Sequence, residues 1–182
     1  MPLANPDGYS ASLASDRTIW NKNVSPQDVC SGVFLDRNFD VSWNTSHKIS
    51  PCSHLYPGPT PFSEEESKAV RDVLHQYNTK IEAYIHVHAG TFDDKTFKGE
   101  AVLYPKGDTL TDLDDDKYID MKAEIDEMMK NASFRVRKVT VDTLANWYGL
   151  VQGTSVDYAA SVYGIPYALE FVMQIYDNED DS

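Results

Sequence analysis

The 182-residue chain sets 16 basic against 29 acidic residues, a formal net charge of -13, and is 41% hydrophobic and 12% aromatic. That length and apolar content allow one domain with a core of its own and leave little room for two. The acidity repels nucleic acid and anionic membrane surfaces, and no apolar run approaches the roughly 18 to 20 residues that span a bilayer, so neither a polynucleotide partner nor a membrane span is expected.

In chain order, the N-terminal MPLANPDGYS lacks the basic and apolar regions of a secretory signal. The first 60 residues, rich in Asn, Asp, Ser, Gly and Pro, read as loops around one short strand, GVFLD. The segment PFSEEESKAVRDVLHQYNTK then predicts a helix: Ser63 and Glu66 have capping-box spacing, Glu64 to Glu66 place negative charge at its start, and Val70, Val73 and Leu74 form an apolar stripe. IEAYIHVHA and AVLYP read as strands, and the acidic GTFDDKTFKGE between them as a hairpin or loop. Ile119, Ile125, Met128 and Met129, at helical spacing, predict a second helix over DTLTDLDDDKYIDMKAEIDEMMKNAS. RVRKVTV alternates as a strand does, SVDYAASVYG is a short helix or turn, and YALEFVMQIY is a further apolar strand. Strands alternating with helices imply an α/β sheet covered on both faces, within one domain over residues 1–177 followed by an acidic, disordered tail over 178–182.

The two cysteines, Cys30 and Cys52, and three N-x-Ser sequons at Asn23, Asn44 and Asn131 suit a secreted ancestor. More specific is the ordered series NPDGY, DR, W-x-K, C-x-G, RNFD, SPCSHLYPGPTPFSEEE, a strand ending in His, LYP-x-G, an isolated Tyr, GTSVDY and GIPYALEF. From Asn5 to about Asp177 this series resembles the zinc carboxypeptidases of the A/B type in order and approximate spacing. The resemblance implies part of that family's mixed β-sheet flanked by helices, an extracellular setting, and a Cys30–Cys52 disulfide.

It also implies chemistry that can be checked residue by residue. Family members hold zinc with a H-x-x-E motif and a distant His; a Glu is the general base, an Arg steadies the oxyanion, and an Asn-Arg pair with a Tyr grips the substrate carboxylate. By this resemblance His88 matches the distant zinc ligand, with His86 on the same strand face. None of the five histidines is followed at the third position by Glu, so two of three ligands are absent and this chain alone is not expected to hold zinc. The oxyanion Arg is replaced by Asn21, and the carboxylate-binding pair reads Asp36-Arg37, which keeps the guanidinium but puts an acid beside it. Val172 falls at the general-base position, while Glu170, two residues earlier on the same face and displaced by about 6.6 Å, falls on the wall of the specificity pocket whose floor is Val156. Tyr148 matches the mobile substrate Tyr.

These departures imply a catalytically inactive carboxypeptidase-like protein acting by binding, whether of peptide ends or of a carboxypeptidase's own partners such as protein inhibitors. Two alternatives stand beside it: one piece of an active metallocarboxypeptidase whose preceding segment supplies H-x-x-E, and a structural or storage protein reusing the scaffold. The apolar IEAYIHVHA and YALEFVMQIY need cover on both faces, so either a rearranged compact sheet or a partner, a second copy included, is expected to supply it.

Overall fold

The computed structural model describes residues 1, 3–14, 20–43, 48–89, 100–109, 116–131 and 139–173. Helix α1 (Pro6–Ser12) begins with Pro at its first turn, where a missing N–H costs nothing, and the Asn5 side chain accepts a hydrogen bond from the Gly8 amide. One 3₁₀ turn (Leu35–Arg37) and helix α2 (Glu65–Tyr77) precede strand β1 (Ala83–Ala89). Then follow β2 (Glu100–Tyr104), α3 (Asp116–Asn131), β3 (Val139–Thr143), α4 (Leu144–Tyr148), α5 (Ser155–Tyr163) and β4 (Tyr167–Met173).

The strands form one mixed sheet in the order β1-β4-β2-β3, with β1 parallel to β4, β2 parallel to β3, and β4 antiparallel to β2. Because side chains alternate along a strand, β4 divides the interior. Ala168 and Val172 face a core built with Leu74, Leu144, Trp147, Val156 and Ala159 from the helices. Leu169 and Phe171 face the other way, onto a smaller cluster with Val102, Val141 and the stacked pair Tyr104 and Tyr118 under α3. Strand β1 lies at the sheet edge, where Ile85 and Val87 are exposed together with Tyr167 and Met173.

Several sequence expectations need correction. GVFLD is not a strand: its end forms the 3₁₀ turn, and Val33 is buried with its amide donating to the Asn23 side chain instead of to a neighbouring strand. Ser63 does not cap α2; the Asn38 side chain does, accepting from the Glu64 amide and the Ser67 hydroxyl from 26 and 29 residues away. Within the α2 stripe Leu74 is buried and Val70 packs on the core, but Val73 faces solvent. On α3 the inward residues are Tyr118, Met121 and Ile125, while Ile119 and Met128 are exposed. Helices α1 and α4 lie in stretches not read as helical.

The sequon residue Asn23 is buried, donating to Glu64 and Glu66 and accepting from the Val33 amide, so the folded chain cannot present it for glycosylation. The acidic insert, the DR pair, the Asn44 sequon and the tail lie outside the described residues, as does the side chain of Met129.

Candidate functional site

The parallel pairing of β1 and β4 sets His86 beside Glu170 and His88 beside Val172. Alternation aims both histidines and Glu170 toward one face. The 3₁₀ turn brings Asp36 and Arg37 over that face, α4 ends there with Tyr148, and α5 begins there with Ser155.

Glu170 is 1% exposed and is the hub. Its Oε1 lies 2.8 Å from His88 Nε2 and accepts the Tyr148 hydroxyl at 2.5 Å. Burial by itself raises a carboxyl pKa, but here the His88 hydrogen bond and charge, then His86 and the Tyr148 hydroxyl, prevail and hold Glu170 well below the ordinary range. For His88 the same balance runs in reverse: burial lowers its pKa, and the bond and charge of Glu170 more than restore it, favouring the protonated ring. Burial and the adjacent carboxylate push the Tyr148 hydroxyl upward, so it stays protonated and donates.

Asp36 pairs with Arg37 Nη1 at 2.9 Å, while its other oxygen accepts from the Ser155 amide at 2.9 Å and hydroxyl at 2.5 Å. The acid beside the guanidinium is therefore paired through one oxygen and anchored through the other to the start of α5. The Arg37 guanidinium stands 5.2 Å from the Phe34 ring centroid and 5.7 Å from that of Tyr148, within cation–π range.

Two sequence-flagged positions lie outside this constellation. Asn21 donates to the His54 carbonyl at 3.1 Å, which ties it to the neighbouring loop. Val156 is fully buried in the larger core. Val172, 1% exposed, offers only carbon beside His88. Cys30 and Cys52 are joined by a disulfide, their Cα atoms 5.0 Å apart.

The zinc that the resemblance implies finds a poor donor set in these residues. Of the family's three ligands only His88 is matched, and its Nε2 is already engaged by Glu170 and Tyr148, the latter at 3.1 Å. Among the described residues, the donor set that the resemblance implies is therefore not assembled around His88. What sequence reasoning underrated was His86 and missed was Ser155; the His-x-His alternation was a visible signal for the first, whereas contact between Ser155 and Asp36 spans 119 residues and leaves no local trace.

Comparison with known proteins bears on the family and the fold. Residues 1–180 match the family profile "Peptidase_M14: Zinc carboxypeptidase". Carboxypeptidase B of Astacus astacus is 32% identical over 177 residues, which is 92% of this chain and 54% of that protein. Mast cell carboxypeptidase A of Rattus norvegicus is 40% identical over 113 residues, 60% of this chain and 25% of that protein. The chain thus spans about half, or less, of the length of these relatives. Among solved structures, bovine thrombin-activatable fibrinolysis inhibitor in complex with tick carboxypeptidase inhibitor superposes with a TM-score of 0.79 at 29% identity, over 99% of this chain and 58% of that one.

Proposed function

The chain belongs to the zinc carboxypeptidase family, and from that premise we propose a carboxypeptidase-like binding protein that holds peptide C-termini without hydrolysing them. The observation that carries this reading is that Val172, which the resemblance puts at the general-base position, is a buried side chain beside His88 that can neither accept nor deliver a proton. Glu170 is no substitute: it stands two residues away along β4, beside His86 rather than His88, and the His88 and Tyr148 contacts on its Oε1 lower its pKa and make it a weak base. Nor does Asn21 restore an oxyanion site, since it bonds the His54 carbonyl; loss of one such donor alone costs about 10²- to 10³-fold in rate.

Binding is better provided for. Arg37 spends Nη1 on Asp36, and the rest of its fork suits a terminal carboxylate. Calorimetric titration with peptides ending in Phe or Lys is expected to show binding that amidation of the C-terminus weakens about 10- to 100-fold, as does Arg37→Met, the range of one or two charge-assisted hydrogen bonds. The same peptides incubated with zinc and the protein are expected to remain uncut. Release of the terminal residue would overturn the reading.

The partial span of the relatives favours a second reading, one piece of an active carboxypeptidase. It predicts cleavage once the chain is tested within a longer parent protein, with Asn21 and Val172 still limiting the rate. A protein partner suits either reading: the inhibitor-bound neighbour supports an inhibitor-like ligand for the shared surface, and the exposed apolar residues of β1 support a covering partner, a second copy included. The Cys30–Cys52 disulfide supports a secreted location.

A further inference from the structure

Two buried polar atoms at the site have no hydrogen-bond partner: His86 Nδ1 and Glu170 Oε2. They lie 3.9 Å apart, and His86 Nδ1 is also 3.5 Å from Asp36 Oδ1. One donor atom from each of Asp36, His86 and Glu170 falls within 4.8 Å of the others. An uncharged solvent bridge of ordinary hydrogen bonds would hold its two partners about 4.5 Å apart, whereas ligand atoms about 2.0 to 2.2 Å from a tetrahedral ion lie about 3.4 Å from one another. The spacings of His86 Nδ1 from Asp36 Oδ1 and from Glu170 Oε2 fall nearer the second pattern.

We propose that Asp36, His86 and Glu170 form a divalent transition-metal site, separate from the family's zinc centre and independent of whether peptides bind. One imidazole nitrogen and two carboxylate oxygens suit an ion of zinc's borderline character. Each acid is already steered by an outer partner: His88 and Tyr148 hold Glu170 by Oε1 and leave Oε2 toward His86, and Arg37 holds Asp36 by Oδ2. Such outer bonds orient metal-binding carboxylates. The Arg37 charge beside Asp36 opposes a cation and so weakens the site. Asp36 Oδ1 accepts twice from Ser155 and is the least free of the three donors.

The test titrates the whole metal-free chain with zinc chloride by calorimetry and with cobalt(II) by visible absorption. One ion per chain is expected. His86→Ala and Glu170→Gln should each weaken zinc at least tenfold and Asp36→Asn by less, while His54→Ala and His75→Ala leave it unchanged. Should a variant misfold, the wild type still decides: cobalt must shift the proton resonances of the His86 ring. No binding at millimolar zinc, unaltered binding in His86→Ala, or binding that depends on His88 but not on His86 would overturn the proposal.

Discussion

Asn38 shows how much of this fold hangs on single polar side chains. It is fully buried, donates to the Pro57 and Thr60 carbonyls and the Ser63 hydroxyl, and accepts from the Glu64 amide and Ser67 hydroxyl. Each group left buried and unpaired costs about 1–3 kcal/mol, so Asn38→Ala is expected to lower stability by at least about 3 kcal/mol in urea unfolding, more than a cap deletion on an exposed helix. Asp157 makes the opposite kind of prediction. Burial raises its pKa to about 6 despite hydrogen bonds from Thr154 and the Gly107 amide that favour the anion. With the folded value above the ordinary 3.8, the native state binds the extra proton, so stability falls as pH rises from about 4 to 6. The difference is worth at most about 3 kcal/mol, and Asp157→Asn should flatten that part of the stability–pH profile.

At the level of elements, the N-terminal loops depend on cross-links rather than on regular structure. The Cys30–Cys52 disulfide spans 22 residues, a loop whose closure stabilises by roughly 3 kcal/mol in the chain-entropy model. Around it, Lys22 donates to the Pro51 carbonyl at 2.8 Å and Asn23 ties the segment to Glu64 at the start of α2. Reduction, or the pair Cys30→Ser and Cys52→Ser, is therefore expected to lower the thermal midpoint while leaving the far-ultraviolet signal of the sheet and helices in place. Collapse of that signal would mean the loops and sheet fold as one unit. Helix α2 gives the matching lesson about prediction: its place was legible from Leu74, Val70 and the run Glu64 to Glu66, yet its cap was not, since Asn38 reaches it from another segment.

Across the whole molecule, the mixed sheet leaves large apolar side chains on the outer face near its β1 edge, with Ile85 at 51% and Val87 at 57% exposure. An edge strand of this kind invites pairing. Light scattering over a concentration series is expected to show mass above the monomer, restored to the monomer by Ile85→Glu with Val87→Glu; a monomer at every concentration would count against a second copy as the cover. The sequence by itself determined the α/β class, the long helices, the apolar strands and the family, because periodicity and motif order are local properties of the chain. Through the resemblance it also singled out Asn21, Asp36 and Val172 as departures from the family's pattern. Only the tertiary structure decided what those departures do: that Asp36 is paired with Arg37 and hydrogen-bonded by Ser155, that Glu170 is held by His88 and Tyr148, and that His86 faces two acids. Those contacts join residues up to 119 positions apart. Their electrostatics depend on burial and on distances of a few ångströms, which no spacing along the chain encodes.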